Sequence, residues 1–127
     1  MKKVNFFLGA FLAISLTGCF SDYSEGERVG SVSKFSKKGI IFKTYEGELL
    51  LGGLKNSDKG FVANTFEFSL DSEKQRGENL DQLIDSINFA MNNGHRVKIH
   101  YSQEIRNDLN SSRGDTEYYV TKVEILR

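Results

Sequence analysis

The chain contains no proline and no tryptophan, one cysteine and two histidines among its 127 residues. Each shortage closes off a class of explanation. Without proline there is no polyproline stalk to hold a domain away from a surface, and no Gly/Ser-rich stretch replaces it. A lone Cys19 cannot form an intramolecular disulfide, so the fold has to rest on its core. His95 and His100 stand at i and i+5, which on a strand puts them on opposite faces. With no second Cys and no third His, no metal site and no cofactor are expected. Charge of one sign is missing too. Seventeen acidic residues balance 17 basic ones, which gives no global attraction to nucleic acid or to an anionic surface. No Gly-x-Gly-x-x-Gly follows a strand-like run, and no Gly-x-Ser-x-Gly supplies a hydrolase nucleophile.

What is present begins at the N-terminus. Met1-Lys2-Lys3 is a short basic stretch, and Val4 to Leu16 is mostly apolar. That run is too short to span about 30 Å of hydrocarbon comfortably. A basic start, an apolar centre and a small-residue end are the marks of a secretory signal peptide. It closes on Leu16-Thr17-Gly18-Cys19.

These four residues resemble the lipobox of bacterial lipoproteins. The resemblance implies that the Cys19 thiol takes a diacylglycerol and that the chain is cut between Gly18 and Cys19. It also implies that the new amino group is acylated. Stable anchoring takes two or more acyl chains, which such a residue carries. Family sorting treats Asp just after the Cys as a signal for retention at the inner membrane. Phe20 and Ser21 follow here, so the expected address is the outer membrane, facing the periplasm. The chain then divides into a signal peptide over 1–18, a lipidated tether over 19–26 and one domain over 27–127. The tether allows roughly 25 Å of reach at about 3.3–3.6 Å per residue, so the domain works close to its membrane.

In the domain, Glu27 to Phe35 reads as a strand made irregular by Gly30. Ser36 to Gly39 reads as a turn, Ile40 to Leu51 as a strand bent at Gly47, and Gly52 to Gly60 as a loop. Phe61 to Leu70 alternates, with Val62, Asn64, Phe66, Phe68 and Leu70 on one face. Leu80, Leu83, Ile84, Ile87 and Met91 form a helical stripe, opened by an Asn79/Gln82 capping box and stopped at Gly94. Val97, Ile99 and Tyr101 mark a strand with one wet face. A long polar loop, Gln103 to Asp115, leads to a last strand over Thr116 to Leu126. Phe61, Phe66, Phe68, Phe89, Tyr118 and Tyr119 are expected in the core. The order β-β-β-α-β-β resembles that of an OB-fold, a small five-stranded barrel. An SH3-like barrel, or a sheet packed on one helix, are the rival arrangements.

"GERVGSVSKFSKKGIIFKTYEGEL" together with "NTFEFSL" resembles a group of short bacterial lipoproteins of unknown function. Two constellations are candidates for chemistry. Glu46 and Glu48 share one strand face and could do acid–base work, or form a solvated face. Lys34, Lys37, Lys38 and Lys43, interleaved with Phe35, Phe42 and Tyr45, form a basic, aromatic hairpin. Such a surface on an OB-like barrel suits single-stranded nucleic acid. Export argues against that ligand, and leaves a solvated face or a patch resting on lipid headgroups. The reading that follows is a non-enzymatic envelope lipoprotein that binds an envelope protein or a small ligand. The alternatives are a phage- or plasmid-encoded lipoprotein that blocks a receptor, and a small enzyme built on the carboxylates. Oligomeric state is left open.

Overall fold

The computed structural model describes residues 24–41, 43–71, 77–104 and 114–127. Gly18, Cys19 and Phe42 lie outside the described residues. The elements in chain order are β1 (Ser24–Lys38), β2 (Thr44–Ser57), β3 (Gly60–Asp71), α1 (Leu80–Asn93), β4 (Arg96–Gln103) and β5 (Tyr118–Leu126). Strand β1 starts inside the 19–26 stretch read as tether: Ser24, Glu25 and Gly26 already pair with Gln103, Ser102 and Tyr101.

β1 serves two neighbours in turn. It pairs with β4 from Ser24↔Gln103 to Gly30↔Val97, and with β2 from Ser31↔Leu50 to Lys38↔Thr44. The change of partner falls at Gly30, and the reason is steric. A Cβ there would lie 2.2 Å from the Leu50 carbonyl oxygen, so only glycine lets the two strands approach this closely. The register irregularity expected at Gly30 sits just after it, between Val32 and Lys34. Gly47 is no bend. It is a regular pair with Phe35 on one side and Phe68 on the other, and the Phe68 ring covers the space its missing side chain leaves.

Two further expectations are corrected. Ile40 and Ile41 belong to the β1–β2 connection and not to a strand, because neither meets an inward face; β2 begins only at Thr44. Gly52 to Gly60 is not a loop. β2 runs on to Ser57, and the Gly52-Gly53 pair, with φ of 95° and 74°, is absorbed as an irregularity between Leu50 and Leu54. The reversal comes later, at Asp58-Lys59, ahead of Gly60 at φ 101°. Beyond Leu50 the strands β2 and β3 pair only with each other, so this part of the hairpin is a two-stranded ribbon with exposed sides. Phe61 and Phe89, expected in the core, are exposed as well, the first because it sits on that ribbon.

The core gathers Leu49, Phe66, Phe68, Leu70, Val97, Ile99, Val120 and Val123 from the strands, with Leu83, Ile87 and Ala90 from α1. The helix is built from local signals. The Asn79 side chain accepts from the Asp81 N–H, and Gly94 closes the last turn at φ 67°, donating its N–H to the Ala90 carbonyl. Its buried line passes through Ala90. Met91, expected on the stripe, is exposed.

The expected five-stranded OB-like barrel is corrected at one seam. Pairings β1–β2, β2–β3, β5–β4 and β4–β1 are antiparallel ladders of seven or more residue pairs. β3 and β5, in contrast, meet in parallel at a single pair, Ser69↔Tyr119. The ring of neighbours β1-β2-β3-β5-β4 returns on itself only through that bridge. Among the described residues the architecture is therefore mainly β with one helix, a sheet of four ladders whose free sides touch at one point. Side chains, not a backbone ladder, do most of the joining there.

Candidate functional site

Glu46 is the centre of that joining. Being on the outer face of β2, it would be solvated but for the segment 114–117, which folds over it and leaves it buried. Its carboxylate accepts from Thr44 Oγ1 at 2.8 Å, from Ser69 Oγ at 2.5 Å and from the Asp115 N–H at 3.1 Å. Ser69 Oγ also lies 2.8 Å from Thr116 Oγ1 and accepts the Thr116 N–H. The Tyr119 hydroxyl accepts the Gly114 N–H at 2.9 Å. Charge-assisted bonds of this kind are about twice as strong as neutral ones. Glu46 is thus committed to holding β2, β3 and the approach to β5 together. Glu48 is half-buried and accepts from Ser33 Oγ at 3.1 Å. Of the two readings of Glu46 and Glu48, a shared solvated face does not hold for Glu46, which is buried as a structural carboxylate.

Lys37, Lys38 and Lys43 are brought to one end of β1 and β2, and each has a local engagement. Lys38 forms an ion pair with Asp115. The hydrogen bond that Lys38 donates to Asp115, reinforced by the charges of Asp115 and Glu46, holds Lys38 above the ordinary lysine value against some desolvation. Lys43 Nζ donates to the Gly39 carbonyl. Lys37 Nζ lies 5.6 Å from the centre of the Tyr45 ring, which in turn stacks on Phe35. Lys34 is apart from the others, opposite Glu48 and beside a small hollow also lined by Glu46, Glu67 and Asp115.

A larger concavity, about 500 Å³, opens on the β1–β4–β5 face. Glu25, Glu27, His100, Tyr101, Ser102 and Thr121 line it. Antiparallel register builds it. Glu27 on β1 faces His100 on β4, and Glu124 on β5 lies one diagonal step away. His100 Nδ1 is 3.3 Å from Glu27 Oε1, and Nε2 is 2.8 Å from Glu124 Oε2. A neutral imidazole donates from one nitrogen; only the imidazolium donates from both at once. Lys98 and Lys122 flank the row, at 4.0 Å from Glu27 and 3.7 Å from Glu124. The His100 hydrogen bond, followed by the charges of Lys122, His100 and Lys98, holds Glu124 below the ordinary carboxylate value against some desolvation. The backbone carbonyl of His100 accepts from Thr121 Oγ1 at 3.2 Å.

In this row His100, Lys98 and Lys122 engage both oxygens of Glu27 and both of Glu124. Spacing in the sequence does not join His100 to Glu27 and Glu124. Its placement on the wet face of a central strand was the one usable signal. His95 is separate, stacked on Phe89 at 5.7 Å. Among the described residues, no group of three or more His, Cys, Asp or Glu is placed to hold a metal ion. The sites expected at Gly18 and Cys19 lie outside the described residues.

A family model described as "Domain of unknown function (DUF8785)" matches residues 21–126, and the chain belongs to that family. Neither the curated proteins nor the solved structures give a match.

Proposed function

We propose that this member of the family is a lipid-anchored, non-enzymatic module of the bacterial cell envelope, which holds a small ligand or a partner protein close to its membrane. The observation that carries the reading is Leu16-Thr17-Gly18-Cys19 at the end of the apolar run. The family match supports it by starting two residues after Cys19, where a mature domain would begin. Binding rather than catalysis is favoured by the commitment of Glu46 to three donors. The concavity around His100 supports binding directly, since its volume falls in the range of roughly 300–1,000 Å³ usual for small-molecule sites. The outer membrane, periplasmic side, is the proposed address, from Phe20 and Ser21 after the Cys.

Two measurements test this. The intact mass of protein extracted from membranes should show loss of residues 1–18 and gain of acyl chains, both abolished by Cys19→Ser. A photo-crosslinking residue at Thr121, beside His100, should capture a discrete species in intact cells, whereas one at Ser33 should not. Lipid retained on the Cys19→Ser protein would defeat the anchor. Equal capture from both positions would defeat the concavity as the binding site.

A further inference from the structure

The two most exposed large apolar side chains among the described residues are adjacent: Ile40 is 96% exposed and Ile41 is 83% exposed, at the tip of the β1–β2 connection. Phe42 follows them in sequence. Apolar surface left in water in this way marks an interaction site more often than chance, above all when it is contiguous. Here it is framed by charge of one sign. Lys37 and Lys38 precede the tip and Lys43 follows it, with no acidic residue from Ser36 to Lys43. All three lysines are themselves exposed. The local engagements described above hold their ammonium groups around the tip: Lys43 on the Gly39 carbonyl, Lys37 over Tyr45, Lys38 against Asp115.

We infer that the Ile40-Ile41 tip inserts into the interface of an anionic lipid bilayer, with Lys37 and Lys43 meeting the headgroup phosphates. Two terms with different geometry act together. Branched aliphatic side chains enter the boundary between headgroups and acyl chains, about 5–10 Å deep, as the apolar face of an interfacial segment does. Ammonium groups spaced around them stay at the level of the phosphates, with their stems along the apolar layer. An apolar tip with an uncharged or acidic collar would suit a protein groove equally well. The cations of Lys37 and Lys43 on either side of the tip, beside the Lys38–Asp115 pair, are what favours lipid. The exposed ribbon around Leu54 and Phe61 makes the contrast: Leu54 and Phe61 share its outer face with Asn56, and the neighbouring charges are of both signs, Lys55, Asp58 and Lys59.

The inference does not depend on Cys19. The tip is at the opposite end of β1 from Ser24, where any N-terminal anchor would join the sheet. If both contacts are made on one bilayer, β1 lies along the surface and the sheet rests on its side, with the concavity around His100 reached from the flank.

The chain has no tryptophan, so one introduced indole reports its own surroundings. The experiment uses the full chain carrying Ile40→Trp, mixed with vesicles of phosphatidylglycerol and phosphatidylethanolamine whose acyl chains are brominated. The indole emission should shift to the blue and be strongly quenched. The effect should fall several-fold when about 1 M salt shortens the screening length to about 3 Å. Lys37→Gln with Lys43→Gln should weaken it in the same way. A Phe61→Trp chain, tested in parallel, should stay unquenched. Because each reporter reads only its own position, attachment of the chain through its N-terminal segment does not imitate the result. Unchanged Ile40→Trp emission with anionic vesicles overturns the inference. So does equal quenching by purely zwitterionic phosphatidylcholine vesicles at every salt concentration. A blue, concentration-dependent emission without any vesicles would assign the tip to a second copy of the chain, and overturns it as well.

Discussion

Ser69 Oγ donates to Glu46 Oε2 at 2.5 Å, next to the single backbone pair that joins β3 to β5. The two residues are 23 apart in the chain and both are buried. The bond itself lies across β2 and β3, which a ladder already joins; it orients Glu46 and Ser69 to accept the N–H groups of Asp115 and Thr116 just ahead of β5, beside the point where the backbone offers one bridge. Gly114 completes the arrangement. A Cβ there would sit 2.6 Å from the Ser69 hydroxyl, so the covering segment lies flat only with glycine at this place.

Removing the hydroxyl should open this seam. Ser69→Ala leaves a buried carboxylate oxygen without that donor, which costs about 1–3 kcal/mol. Gly114→Ala pushes a methyl group into the same hydroxyl, an overpacking cost of about 1–3 kcal/mol. Ser33→Ala removes a bond to Glu48 on the exposed face and should stay within about 0.5 kcal/mol. Urea unfolding of the three variants decides it. If Ser69→Ala is as mild as Ser33→Ala, the side-chain seam contributes nothing and the single bridge is sufficient.

How far the sequence reveals this arrangement depends on the range of the signal. The helix was legible because everything that makes it is local: Leu83 and Ile87 at helical spacing, Asn79 at the start, Gly94 at the stop. Its one misplaced residue, Met91, is next to the Ala90 that is buried, an error of one position on a stripe. The turns were less legible. Gly52-Gly53 carries the same chemistry whether the chain reverses there or only bulges, and the partner strand decides which. Ile40 and Ile41 look like strand residues because they are β-branched, a preference that expresses itself only where there is a surface to pack on. The His100 row was not legible at all. Glu27, His100 and Glu124 come from three strands, and nothing short of the register brings them together. Glu46 stands out in the sequence, but as a candidate for acid–base work or as part of a solvated face. What makes it structural is the 114–117 segment, nearly 70 residues on, and no spacing within β2 announces that cover.

The His100 row gives a pH dependence whose sign is fixed. Glu124 is held below its ordinary value in the folded state, first by the His100 hydrogen bond. A carboxylate depressed in this way contributes stability above its unfolded value of about 4.3, and that contribution is lost as the pH falls through the lower folded value. The urea midpoint should therefore fall on acidification below that point, and Glu124→Gln should make the fall shallower. His100→Asn, by removing the leading cause, should have the same effect with Glu124 intact. The group is exposed, so the change is modest and shows as a difference in slope. Parallel pH profiles for the wild type and both variants, across the acid range, would show that the row has no part in stability.

The last prediction concerns what the helix does for the sheet. A segment of 14 residues is marginal as a helix in water by itself, so α1 persists because it buries one line of side chains. That line is Leu83, Ile87 and Ala90, and all three join the same cluster as Val97, Val120 and Val123. Leu83→Ala should therefore leave a cavity in the shared core and cost about 2–5 kcal/mol, a large share of a typical domain's stability. Asp85→Ala, on the solvent side, should change little. Met91→Ala separates the observed line from the one the sequence suggests. If the helix sits as the structure has it, the exposed Met91 side chain contributes little, and its loss should cost well under half of the Leu83 value. Urea unfolding followed by circular dichroism reads all three. Equal losses at Leu83 and Met91 would mean that the helix is rotated relative to the sheet, and equal mildness at Leu83 and Asp85 that it does not pack on the core at all.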